Sequence, residues 1–395
     1  MRILIGIFGL LLLLAILWDS FESVILPRHV QRSFRIARFF YRNAWSFCSF
    51  TARHIRNPKL RESYLSYFGP LSLLLLIGFW ALAMVLAFAM LQWAAGSALA
   101  GPGVPGTFRT DLYFSGTTFF TLGLGDITPQ TSIARIMSVA EAGTGFGFLA
   151  VVMGYFPVLY SAFSRREVSI SLLDARAGSP PTAAELLRRH AYEGADQALS
   201  LLLVEWERWS AELLESHISY PLLCYFRSQH TNQSWISALT AILDTSALLI
   251  AGVRGHEARQ AQLTFAMARH AMVDLAQIFM LAPLNAASDR LPQQRYEELY
   301  GLLCQSGVSV CRDQASYERL QDMRKLYEGY AAALSSHFRM PLPPWISTQP
   351  HKDNWQAVAK VRAKAEAANP SEAQHAESGQ VSQVNVPLID HHHDF

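Results

Sequence analysis

Leu71–Trp93 runs for 23 residues without a charge. A helix of that length reaches about 34 Å, enough to cross the hydrocarbon core of a bilayer. In that solvent every backbone polar group must be satisfied within a helix or a closed barrel. Tyr64, Tyr67 and Pro70 lead into the run and Trp93 closes it, which puts aromatic residues at both interfaces. Ile133–Phe163 is a second apolar run, with Arg135 at one end, Arg165 and Arg166 at the other, and Glu141 as its one internal acid. Ile3–Trp18 is a third and continues through Asp19 and Glu22 to Leu26 and Pro27. Its 16 residues reach only about 24 Å, so the following turns are needed to cross. A cleaved signal peptide fits this run poorly, because its positive region is only the N-terminus and Arg2 and no small-x-small site follows.

Charge is rare, 16% of a chain that is 51% hydrophobic, but it is not scattered. Arg28 to Arg61 holds nine Arg or Lys and no acid. Arg32, Arg35, Arg38 and Arg42 are spaced three or four apart, with Phe34, Ile36, Phe39 and Phe40 between them. That pattern predicts a basic amphipathic helix on the cytoplasmic membrane surface, as the positive-inside rule requires, with anionic lipids as possible partners. Asp19 and Glu22 lie one turn apart and are expected to pair with these arginines. The N-terminus is then outside, the basic stretch inside, and the C-terminus in the cytoplasm of a cell with this protein in its plasma (inner) membrane. Nucleic-acid binding is not expected. The four cysteines, Cys48, Cys224, Cys304 and Cys311, lack CxxC spacing and read as reduced thiols. Cys304 and Cys311 could share a helix face.

Between Leu71–Trp93 and Ile133–Phe163, Ala94–Gly106 reads as an external loop. Asp111–Phe120, capped by Thr110 and Asp111, is a helix too short to cross, so it must re-enter. Its C-terminal end carries partial negative charge that favours a cation. Thr121-Leu122-Gly123-Leu124-Gly125-Asp126 follows. Glycine at every second position permits dihedrals that turn successive carbonyls to one side. Four such strands around an axis make stacked oxygen rings that can replace the hydration shell of potassium.

Over Leu71 to Phe163 the sequence resembles the two-transmembrane-type, pore-loop potassium channel family, whose signature is Thr-Val-Gly-Tyr-Gly-Asp. The resemblance implies a selectivity filter at Thr121, Leu122, Gly123, Leu124 and Gly125. It implies filter support from an aromatic cuff at Tyr113 and Phe114, from Asp126 behind the filter, and from Glu141 hydrogen-bonded to the pore helix. It also implies a gating hinge at Gly143. Gly143, Gly145 and Gly147 read equally as a small-residue packing seam, and Pro157 can kink the inner helix at its cytoplasmic end. This chain departs from the family in three places: Leu122 stands for Val or Ile, Leu124 for Tyr or Phe, and Phe120 for a second Thr. One pore loop per chain implies a homotetramer.

The rest reads as helical and largely soluble. Thr182-x-x-Glu185 is a capping box, and helices are expected at Leu199–Leu214, Ser234–Val253, Ala261–Leu281, Gln294–Leu303 and Ala315–His337. Ser234–Val253 is apolar enough for a span, but Asp244 within it favours a buried core helix. His270 and Asp274 are one turn apart and read as a solvated pair rather than a metal site. The polar stretch from Gln349, ending in a His cluster, is expected to be disordered.

The expected fold is an all-α membrane protein: an N-terminal span (1–27), a basic linker (28–66), a pore domain (67–164), a helical cytoplasmic domain (165–345) and a tail (346–395). The expected function is passive, potassium-selective conduction, gated by an unknown ligand or partner of the cytoplasmic domain, with no cofactor, no bound metal and no enzymatic chemistry. The alternatives are a weakly selective cation channel and a signalling or scaffold protein with a vestigial pore.

Overall fold

A computed structural model describes residues 1–24, 36–101, 106–192, 194–230, 232–253, 258–284, 289–311 and 313–347. The tail expected to be disordered, with its His cluster, and the arginines Arg28, Arg32 and Arg35 lie outside the described residues. The regular elements among the described residues are helices except for two strands of two residues each. It divides into two compact units, residues 1–164 with 215–227, and residues 165–214 with the chain from Ser228 onward.

In the first unit, α1 (Arg2–Val24) is apolar on all sides. It buries only one line, including Gly9, Leu13 and Ile16, while Leu4, Phe8, Leu11 and Leu14 stay exposed, as a lipid-facing helix requires. α2 (Ile36–His54) and the short α3 (Pro58–Ser66) follow, and Asn57 caps α3 through its side chain. The next helix, α4 (Phe68–Ala94), packs along α1. Glycine permits this close approach: a Cβ on Gly9 would meet Met90 Cβ at 2.9 Å and the Ala87 carbonyl at 3.1 Å. Strand β1 (Leu99–Ala100), helix α5 (Phe108–Phe119), strand β2 (Thr128–Pro129) and the long α6 (Ser132–Ala177) follow.

Asp19 accepts hydrogen bonds from the backbone amides of Ile36 and Ala37 and from Trp80 Nε1. It therefore caps α2, a use that the expected pairing with arginine did not include, while Glu22 accepts from Trp18 Nε1 at 2.7 Å. Anchored there, α2 runs down beside the lower part of α4. Trp45 meets Phe68 at 4.8 Å, and Thr51 hydrogen-bonds Tyr64 at 2.7 Å. Its buried line of Ala37, Trp45, Cys48 and Ala52 faces protein, and Phe39, Phe47 and Phe50 are exposed.

In the second unit, α7 (Ala183–Arg189) starts as the capping box predicts, with Glu185 N donating to Thr182 Oγ1 at 3.2 Å. Next come α8 (Ala195–Ser219) and α9 (Trp235–Gly252). Although α9 is long and apolar enough to cross a membrane, every residue from Trp235 to Leu249 is buried within the unit. It packs against α7 and against α10 (Ala258–Ile278), α12 (Gln314–Lys325) and α13 (Glu328–Phe338). Its one acid, Asp244, receives a two-pronged bond from Arg290 (3.2 and 2.6 Å) and a bond from Tyr327.

Two expectations need correction here. Ala315–His337 is two helices, because Leu326 and Tyr327 break it so that the buried Tyr327 hydroxyl can reach Asp244. Cys304 and Cys311 do not share a helix, because α11 (Gln293–Gln305) ends before Gly307, whose φ is +88°. All four cysteines are free thiols.

Candidate functional site

Helix α5 begins at Thr107, not at Thr110 and Asp111. The Thr107 hydroxyl accepts from the Thr110 amide. Asp111 sits in the first turn, fully buried, and receives the Ser97 hydroxyl. At 12 residues the helix is about 18 Å long, too short to cross. Its last turn holds the stretch that follows, because the amides of Leu122 (2.7 Å) and Gly123 (3.4 Å) both donate to the Thr117 carbonyl. A carbonyl that the helix end would otherwise leave without a partner is satisfied this way.

Positive φ recurs at every second residue: Thr121 at +57°, Gly123 at +54° and Gly125 at +77°. Glycine takes this conformation without penalty, whereas Thr121 is in a sparsely populated region that surrounding structure must impose. Among the described residues, no backbone amide donates to the carbonyls of Thr121, Leu122, Gly123 or Leu124. Leu122 and Leu124 are each 62% exposed in the single chain.

Both sides of this stretch are pinned. Strand β1 pairs antiparallel with β2, Leu99 opposite Pro129 and Ala100 opposite Thr128, so the segment before α5 is tied to the segment after the glycines. Leu99, Phe114 and Ile127 make one small buried cluster beneath that pair. Tyr113 donates its hydroxyl to Asp126 Oδ2 at 2.9 Å. On the other side, Ser115 donates to the buried Glu141 at 2.5 Å, which joins α5 to α6. One turn further along α6, a Cβ on Gly145 would lie 2.0 Å from the Phe119 carbonyl.

Of the glycines in the predicted seam, Gly145 is therefore the one held in close packing. Gly143 and Gly147 face open space in the single chain. Pro157 lies inside α6, which is helical on both sides of it. Sequence reading singled out Tyr113, Phe114, Asp126 and Glu141 but missed Ser115, which bonds Glu141, Ser97, which bonds Asp111, and Phe119, whose carbonyl packs on Gly145. The spacing of Glu141 and Gly145, four apart on one helix face, was the available signal for the α5–α6 seam.

A second cluster in this unit was not anticipated. Residues 215–227, the end of α8 and a 3₁₀ turn at Pro221–Tyr225, pack against α2, the start of α4 and α6. Tyr225 is buried among Tyr41 (6.0 Å), Trp45 (5.1 Å) and Phe68 (5.1 Å). Phe226 lies 5.5 Å from Phe163 of α6 and covers Gly69, where a Cβ would be 2.7 Å from its ring. Tyr220 meets Tyr155 of α6 at 5.6 Å, and Arg227 pairs with Glu62 at 2.5 Å. No spacing rule marks such long-range aromatic packing.

Among the described residues, no group of three His, Cys, Asp or Glu could hold a metal. His270 and Asp274 form a surface pair at 3.5 Å.

Comparison with known proteins agrees with this geometry. A family model described as "Ion channel" matches residues 73–161, the stretch that holds α5, the glycine pair and most of α4 and α6. An uncharacterized membrane protein of Bacillus subtilis (strain 168), YdjJ, is 24% identical over 234 residues, 58% of this chain and 66% of that protein. No solved structure matches the chain. The chain is an all-α membrane protein, and its residues 73–161 match an ion-channel family.

Proposed function

Starting from that ion-channel match, we propose that four copies of this chain form a potassium-selective channel that conducts passively across the plasma (inner) membrane. The carbonyls of Thr121, Leu122, Gly123 and Leu124, with the Thr121 hydroxyl, coordinate the ion in stacked rings. The observation that carries this reading is the alternation of positive φ at 121, 123 and 125, beside carbonyls that no described amide engages. Tyr113 with Asp126 and Ser115 with Glu141 hold the stretch from its outer and inner sides. The N-terminus lies outside, the C-terminus inside, and anionic lipids meet the basic residues of α2.

Gating runs through residues 215–227. Their aromatic side chains grip Tyr155 and Phe163 of α6, and Phe68 and Gly69 at the start of α4. Movement of this segment by a ligand or partner of the second unit bears on the inner helix beside Pro157, with Gly143 as a further hinge.

The test is potassium efflux from liposomes containing the purified protein, with barium as blocker. Wild-type protein gives barium-sensitive efflux. Gly123→Ala places a Cβ at φ +54° and abolishes it. Normal barium-sensitive efflux from Gly123→Ala would refute the filter. A weakly selective cation channel is the second reading, favoured by Leu122 and Leu124 where the family carries β-branched and aromatic residues. It predicts equal sodium and potassium efflux.

A further inference from the structure

Asp19 is an acid inside an apolar helix, and it is only 4% exposed. Its depth follows from the antiparallel packing of α1 on α4. Gly9 lies against Met90, and ten residues further along α1 Asp19 meets Trp80, ten residues back along α4. Trp80 is nine residues into the uncharged run that begins at Leu71, about 14 Å at helical rise. With Leu71–Trp93 as the span, Asp19 is near the middle of the bilayer. An ionisable side chain at such depth is costly to hold and marks a functional position.

Asp19 ties three helices together. From α1 it accepts the amides of Ile36 (3.0 Å) and Ala37 (3.2 and 3.3 Å) in the first turn of α2, and Trp80 Nε1 of α4 at 2.9 Å. The partial positive charge of a helix start suits a carboxylate there. What Asp19 holds leads on toward the filter. Ala37 and Trp80 belong to one buried apolar cluster with Phe119, the last residue of α5, and Phe148 of α6 packs against that cluster. Two residues before Phe119, the Thr117 carbonyl takes the amides of Leu122 and Gly123. A close-packed core passes a displacement on rather than absorbing it. Both α1 and α2 lie outside the stretch 73–161 that matches an ion channel.

We propose that Asp19 is a positioning residue for ion selection. It seats Trp80 and the start of α2 in the core that Phe119 shares, so that α1 and α2 buttress the end of the pore helix. The proposal rests on the filter reading above and adds to it two helices that the channel match does not include.

The test compares Asp19→Asn and Trp80→Phe with wild type, each as the full chain in planar bilayers. Asp19→Asn removes the charge and keeps the shape. Trp80→Phe removes one donor and keeps an aromatic ring. The reversal potential between potassium and sodium, and the barium concentration for half block, both read the filter. A residue that serves only the fold moves neither. Thermal midpoints of the same samples read the fold. Both variants are expected to conduct with the potassium preference weakened roughly fivefold, within the range by which residues without ligand contact modulate a distant site. Half block by barium is expected to shift by a similar factor. Unaltered selectivity and block in both variants, whatever the thermal midpoint, overturn the proposal and leave the filter reading standing. A wild-type current without selectivity or barium block refutes the filter reading and the proposal with it. Should Asp19→Asn fail to fold, Trp80→Phe decides by the same two readings.

Discussion

The second unit and the filter stretch satisfy polar groups in opposite ways. Around α9 each charge finds a partner inside the chain. Asp244 is held by Arg290 and Tyr327, Arg290 also bonds Glu328 and the Pro343 carbonyl, and Arg324 pairs with Glu328 and Asp289. Trp345 lies against both arginines, its ring 5.7 and 5.6 Å from their guanidinium carbons. That region is complete in one copy. The amides of Thr121, Leu122 and Gly123 donate to carbonyls of α5, and the carbonyls from Thr121 to Leu124 have no described amide to accept. On the reading proposed above, ions and further copies of the chain supply the partners of those carbonyls. A charge network serves a self-contained core, whereas a bare carbonyl ladder suits a role in conduction.

The comparison breaks most visibly at Asp244. Asp244→Ala removes the buried acid that Arg290 and Tyr327 share, leaving Arg290 only Glu328 and the Pro343 carbonyl, and costs about 3–5 kcal/mol. Chemical denaturation followed by Trp fluorescence is expected to show loss of the second unit. An unchanged midpoint would mean the network is not what holds that core. Gly145→Val tests the other region. Its side chain collides with the Phe119 carbonyl, so potassium efflux is expected to fall at least tenfold while the denaturation midpoint of the second unit stays in place.

A smaller effect separates the regions by pH. Burial pushes His337 in α13 down to about 4. The folded state holds His337 neutral where the unfolded chain, near 6.5, takes up a proton. Its contribution is complete above about pH 6.5 and is lost as pH falls toward 4, about 1–2 kcal/mol by pH 5. The thermal midpoint of the second unit should drop over that window, and His337→Gln should flatten the drop. Smallest is Tyr113→Phe, which deletes an exposed bond to Asp126. It is expected to narrow the potassium preference rather than stop conduction, read as a shift in reversal potential.

Much of the pore region is legible in the sequence, because membrane solvent leaves few choices. An uncharged run must be a helix, a short helix before a Gly-x-Gly pair must re-enter, and one acid in a span must find a donor. Glu141 does so at Ser115. The burial of α9 was legible for the same reason, since Asp244 needs a protein partner. What escaped was set by contacts distant in sequence. The break at Tyr327 exists to serve Asp244, 83 residues away. Asp19 caps α2 at Ile36, 17 residues away, and Tyr225 and Phe226 return to the first unit from the far end of α8. Local periodicity carries no trace of such pairings.

The central claim is that the ladder from Thr121 to Leu124 selects potassium despite Leu122 and Leu124. It is tested most directly by the reversal potential of the purified full-length protein in a planar bilayer, with potassium on one side and equal sodium on the other. A reversal potential displaced strongly toward the potassium equilibrium potential, and abolished with the current by barium, is the predicted result. A barium-insensitive current that reverses at zero would contradict it.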